Sequence, residues 1–103
     1  NHYSVEDKSP RVREFRLKYR KKYGDDPDAM SALGYDAAGI LCDAIKRAGT
    51  TESEALRKAI AATSGYQGIT GTITLNAERN AVKPAVVLEV KGGKFHYVET
   101  VQP

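Results

Sequence analysis

Tyr35 and Asp36 stand side by side in LGYDAAGILCDAIKRAG, the stretch from Leu33 to Gly49, in the first turns of an apolar helical segment. A tyrosine ring offers apolar area and a hydroxyl on one rigid body, which suits a small molecule with one apolar and one polar end. The same ring serves equally well as an aromatic packed between helices. Asp36 has two readings as well: a counter-charge for a bound cationic group, or an acid stabilised by the dipole at a helix N-terminus. The remaining reactive side chains are scattered. His2 and His96 lie at opposite ends without a cysteine or carboxylate at metal-ligand spacing, and the DDPD turn at Asp25–Asp28 lacks the calcium-loop pattern. Cys42 falls mid-helix beside Ala38 and Gly39 and reads as a packed thiol. No serine sits in a nucleophile elbow and no glycine-rich phosphate loop is present. The inventory points to binding rather than catalysis, with no metal and no cofactor.

The elements that would position these residues follow from local pattern. Ser9-Pro10 is a helix start, the serine hydroxyl capping free amides and proline occupying the first helical position. Gly24 ends that helix after Tyr23, and DDPD turns the chain. A second helix begins at Asp28 or Ala29 and ends at Gly49, with Lys46 and Arg47 at its C-terminal dipole. Met30, Leu33, Ala37, Ile40, Leu41, Ala44 and Ala48 form an apolar stripe, and Tyr35, Ala38, Gly39 and Cys42 a second face of mostly small residues. Such a helix is expected to pack on two sides. Asp43 and Arg47, at i and i+4, read as a surface ion pair. Thr51 and Glu54 have capping-box spacing for a short third helix ending near Thr63. The period then changes to two: Ile69, Gly71, Ile73 and Leu75 share one face of a half-buried strand. AVVLEV (Ala85–Val90), Gly92-Gly93 and KFHYVETV form a hairpin, and Pro84, which restricts Lys83, suits a linker before it.

At 103 residues with 41% hydrophobic and 28% charged residues, the chain is one globular unit with no run long enough to span a bilayer. A single cysteine rules out an internal disulfide and leaves the compartment open. The net charge of +3 is concentrated in RVREFRLKYRKKY, where Glu14 is the only acid. Val12, Phe15, Tyr19 and Tyr23 share one sector of that helix, which leaves the cations as a solvated face. A small basic nucleic-acid-binding or protein-interaction module using the Arg11–Lys22 helix is the alternative use of the same charge.

Taken in order, an acidic, proline-containing segment (Glu6, Asp7, Pro10), a helix ending in Tyr23-Gly24 with Pro27 beyond, a helix opening Tyr35-Asp36-Ala37, and the strand Thr70–Leu75 resemble the C-terminal part of the substrate-binding proteins of branched-chain amino acid ABC transporters. The resemblance implies a type I periplasmic binding protein, an α/β fold of two lobes facing across a cleft, of which this segment alone is α+β: three helices followed by about three antiparallel strands. Residues 1–82 would complete the first lobe, with His2–Ser4 trailing from one interlobe crossing. Lys83 and Pro84 would form the hinge crossing, and the hairpin in 83–103 would belong to the second lobe. By the same resemblance Tyr35 packs on the ligand and Asp36 lies beside it. The implied role is extracytoplasmic capture of a small amino acid or related carboxylate for delivery to ABC permease subunits, in the periplasm or at the cell surface on a lipid anchor, without enzymatic activity. NAERN (Asn76–Asn80) departs from the acidic, glycine-containing turn usual there. A helix apolar on two faces beside so few strands also implies uncovered surface, hence homodimerisation or strand exchange of the segment alone.

Overall fold

The computed structural model describes residues 1–103. The element order is α1 (Pro10–Tyr23), α2 (Ala29–Ala48), α3 (Ser53–Ala61), β1 (Tyr66–Gly68), β2 (Gly71–Leu75), β3 (Ala81–Val82), β4 (Ala85–Lys91) and β5 (Lys94–Val101). Strands β1–β2–β3 form one antiparallel sheet and β4–β5 a separate hairpin. The segment is therefore α+β, as expected. No helix is long and apolar enough to cross a membrane.

Helix ends follow local chemistry, with two differences from the sequence reading. Gly24 and Gly49 close α1 and α2 in the left-handed conformation, and Asp28 caps α2 by accepting from the Ser31 amide. Ser9 makes no side-chain cap; its amide instead donates to Asp7 Oδ1 at 2.8 Å, and Pro10 alone pre-sets the first turn. In α3 the cap is Glu52 rather than Thr51, because its longer carboxylate reaches the amides of both Glu54 and Ala55. The largest difference lies in the period-two stretch. The expected single strand is a tight hairpin: Gly68 pairs with Gly71 and Tyr66 with Ile73, so Ile69 and Thr70 form the bend.

The core sits where the N-terminal segment, α1 and α2 meet. Tyr3, Val12, Phe15 and Ala32 are buried, flanked by Val5, Tyr19, Ala29 and Ile69. Tyr3 and Phe15 pack edge to face with centroids 6.1 Å apart, and Phe15 carries Tyr19 on another side at 5.8 Å. Burial drives the Tyr3 phenol up to about 12, and its hydroxyl has no hydrogen-bond partner.

Much apolar surface is uncovered. In the predicted stripe of α2 only Ala44 is fully buried, while Met30, Ala37 and Leu41 face solvent. The expected second packing face is likewise incomplete: Gly39 is half-buried, whereas Tyr35, Ala38 and Cys42 are exposed. Cys42 is thus an open thiol, not a packed one. The β4–β5 hairpin exposes Val90 and Phe95. The radius of gyration is 15.2 Å, against about 13 Å for a compact chain of this length. The accessible surface is 7122 Å², against about 5,700 Å² for a compact monomer of this mass. The excess is the area of a substantial interface.

The N-terminal segment lies beside the hairpin. The Val86 amide donates to the Asn1 carbonyl at 2.6 Å, and His2 Nδ1 lies 2.8 Å from the Pro84 carbonyl, which requires the proton on that nitrogen. Glu6 accepts from the Tyr97 amide and reaches His96 Nδ1 at 3.3 Å.

Candidate functional site

The two residues singled out in the sequence line one hollow but differ sharply in exposure. Tyr35 is 52% exposed, with its ring against Phe15 at 4.8 Å between centroids and an interplanar angle of 50°. It borders a hollow of about 220 Å³ together with Arg11, Lys18, Tyr66 and Gln67. Phe15 packs on the ring at a tilt, and about half of the tyrosine stays exposed at the rim.

Asp36 turns inward beside it and is 3% exposed, although it lines the same hollow. The Ile69 amide donates to Oδ1 at 2.8 Å; the Thr70 amide and hydroxyl donate to Oδ2 at 2.8 and 2.6 Å. The carboxylate is therefore the partner of the β1–β2 bend, a structural role that the sequence did not suggest. Gly68 makes the approach feasible: a Cβ there would fall 2.5 Å from Asp36 Oδ2. Gly39, one turn further along α2, plays the same part for Tyr66, whose hydroxyl occupies the space a Cβ would need. The strand hairpin thus seats on α2 through Asp36 and two glycines. Sequence reasoning passed over Thr70 and Gly68; the only signal was the glycine pair bracketing Ile69-Thr70.

The network continues to Lys83. Its ammonium donates to Thr70 Oγ1 at 3.1 Å. Burial pulls the Lys83 pKa down, with the nearby Asp36 charge acting in the opposite direction. Pro84 is buried and packs on Gly71, where φ is 110° and a Cβ would lie 2.7 Å from Pro84 Cδ. Only glycine fits that backbone and that contact. Pro84 and Thr70 also line a larger hollow of about 440 Å³ with His2, Arg11, Gln67 and Thr100, which adjoins the first through Arg11 and Gln67.

The basic helix is partly neutralised. Arg16 forms a two-bond fork with Asp26, Arg20 lies 3.6 Å from the same carboxylate, and Lys18 pairs with Glu14 at 2.7 Å. Arg47 bonds Asp43 as expected, and also the Ala59 carbonyl and Thr63 hydroxyl, so it clamps α3 to α2 rather than only decorating the surface. In the Asn76–Asn80 turn Arg79 adopts φ 66°. It takes the left-handed position that a glycine would fill without strain, and Asn76 Oδ1 secures the turn by accepting from the Asn80 amide.

Comparison with known proteins bears on the fold as a whole. A family model described as periplasmic binding protein matches residues 1–94. A leucine-binding protein of Thermotoga maritima is 36% identical and superposes with a TM-score of 0.86 over 100% of this chain and 30% of its own. A branched-chain amino acid transporter substrate-binding protein of Streptococcus pneumoniae, solved with isoleucine, is 30% identical with a TM-score of 0.87, over 100% of this chain and 29% of its own. An ABC transporter solute-binding protein of R. palustris, solved with benzoate, is 27% identical with a TM-score of 0.83, over 99% of this chain and 29% of its own. The chain thus spans under a third of the length of these structures, as an α+β piece of the type I periplasmic binding fold. Comparison with curated protein sequences gives no match. With a family model covering nearly its whole length and matching architecture from the first helix to the last hairpin, the chain belongs to the periplasmic binding protein family.

Proposed function

We propose that this segment works within an extracytoplasmic solute-binding component of an ABC importer, which takes a branched-chain or other small amino acid, or a related carboxylate, in a cleft between two lobes. Residues 1–82 complete one lobe, Lys83 and Pro84 lie in the hinge crossing, and the β4–β5 hairpin belongs to the other lobe. Ligand bridging the lobes stabilises a closed state that the permease recognises, so the work is differential affinity and no bond changes. Tyr35 lines the cleft wall, while Asp36 serves the cleft by fixing the bend next to it. Residence is in the periplasm or on the cell surface through a lipid anchor.

The observation that carries the reading is Tyr35 itself, an aromatic left half exposed yet held ring-on-ring by Phe15 at the rim of a hollow. The excess apolar surface of α2 and of the hairpin supports it, since this is the surface that the rest of two lobes would cover. The segment by itself is expected to self-associate through those faces. The relatives' ligands, leucine, isoleucine and benzoate, share a carboxylate on an apolar body.

The test is titration calorimetry of the full-length protein carrying this segment with L-leucine, L-isoleucine and benzoate. Saturable binding of at least one is expected, weakened about tenfold by Tyr35→Ala and much less by Tyr35→Phe, because the ring face supplies the contact. Wild-type protein that binds none of the three, but is retained on nucleic acid at low salt through Arg13 and Lys21, would replace this reading with the basic-helix alternative.

A further inference from the structure

A continuous hydrogen-bonded chain leads from the first turns of α2 to the segment between β3 and β4. Asp36 follows Tyr35 directly, its Oδ2 accepts from the Thr70 hydroxyl at 2.6 Å, and the Thr70 oxygen in turn accepts from Lys83 Nζ at 3.1 Å. Asp36 and Thr70 are buried at 3% and 4% exposure, so both are held by these bonds rather than by water. Lys83 makes no ion pair; a part-buried ammonium is anchored on one neutral hydroxyl, which is a weaker hold than a carboxylate and is released more easily. The next residue, Pro84, is wedged on Gly71, and its carbonyl accepts from His2. Both ends of the Ile69–Thr70 bend are therefore tied, one to the helix that carries Tyr35 and the other to the Lys83–Pro84 crossing.

We infer that Thr70 and Lys83 are positioning residues for the ligand site: the Asp36–Thr70–Lys83 chain couples the Tyr35 wall to the hinge crossing and so sets how readily the two lobes close. This rests on the proposed function, because it presumes that Lys83 and Pro84 lie where one lobe passes to the other. The chain acts through geometry, and none of its members needs to touch the ligand. Lys83 is the decisive position. It is the link that a crossing must loosen when the lobes move, and being part exposed it tolerates replacement. Thr70 is less suitable, since Thr70→Val would leave a buried carboxylate short of a donor and risks misfolding.

The experiment uses the full-length protein with Cys42→Ser as background and spin labels attached at Lys46→Cys in α2 and Lys94→Cys in the hairpin. The distance distribution between labels reports lobe closure without reference to ligand, and calorimetry with L-leucine, L-isoleucine and benzoate reports affinity. Lys83→Met, which keeps the stem and removes the donor, is expected to shift the ligand-free distribution and change the Kd about 3- to 10-fold, the effect of one hydrogen bond. Lys83→Arg, which retains a donor, is expected to restore both. A Lys83→Met protein with wild-type distances and a Kd within about twofold of wild type overturns the inference, as does an arginine variant that behaves like methionine. A change in thermal stability alone, with distances and Kd unmoved, assigns Lys83 a purely structural role and likewise overturns it. If wild-type protein binds none of the three ligands, the proposed function fails, and the ligand-free distances still decide the coupling.

Discussion

Replacing Asp36 separates a residue that holds the fold from one that holds a ligand. Its carboxylate takes two backbone amides and a hydroxyl at 2.6–2.8 Å from a bend that has no other partner for those amides. Hydrogen bonds to a charged acceptor contribute about 1.5–3 kcal/mol each, and donors abandoned in the interior cost about as much again. Ile69 is half-buried and regains some water, so the three terms do not add in full. Asp36→Ala should therefore cost about 3–5 kcal/mol. Asp36→Asn keeps one acceptor for the Ile69 amide but sets an NH₂ group against the Thr70 donors, for a cost of about 2–3 kcal/mol. The assay is hydrogen exchange by mass spectrometry on the peptide spanning Tyr66 to Leu75. A local loss of about 3 kcal/mol accelerates exchange about 100-fold. Peptides from the β4–β5 hairpin serve as the control and should not change. If Asp36→Ala leaves exchange at Ile69 and Thr70 at wild-type rates, the carboxylate does not hold the bend.

Other expectations are independent of that one. Gly39→Ala should destabilise by about 1–3 kcal/mol despite alanine's better helix propensity, because the new methyl overlaps the Tyr66 hydroxyl; Tyr66→Phe should recover part of the loss in chemical denaturation, and a fully additive pair would contradict the contact. Arg79→Gly should stabilise by about 0.5–1 kcal/mol by relieving φ 66° in the Asn76–Asn80 turn, read as a rise in the denaturation midpoint; a fall would show that the arginine side chain matters there. The Arg16 fork holds the Asp26 carboxyl below its ordinary value of 3.8. A depressed folded-state value means a contribution present above pH 3.8 and lost as pH falls through the folded value, so Asp26→Asn should flatten the acid limb of the stability curve while wild type loses stability there. An unchanged acid limb in Asp26→Asn would show that the fork contributes nothing.

The helices were legible because their signals are local. Asp28, Gly24, Gly49 and the period of α1 act within one turn, so Pro10–Tyr23 and Ala29–Ala48 follow from neighbouring residues alone. Thr51 misled because the capping-box spacing describes a serine or threonine, whereas here a glutamate one residue on reaches the free amides itself. The bend at Ile69-Thr70 was hidden for a different reason. Two strands joined by two residues keep their period-two alternation through the turn, and what breaks the strand is a carboxylate more than thirty positions earlier in the chain. Cys42 read as packed because small neighbours predict close approach, but small residues only permit a partner and do not supply one.

By itself, the sequence determined the class of element at nearly every position, the order of helices before strands, and the choice of Tyr35 and Asp36 as the pair to watch. These depend on residue type and short-range spacing, which a linear string contains. Only the tertiary structure decided which of the pair faces outward. Adjacent residues on a helix point about 100° apart, so Tyr35 can sit at the rim of a hollow while Asp36 turns inward to the Ile69–Thr70 bend and, through Thr70, meets Lys83. That division depends on which strand lands on which side of α2, a contact between distant parts of the chain that no local spacing encodes.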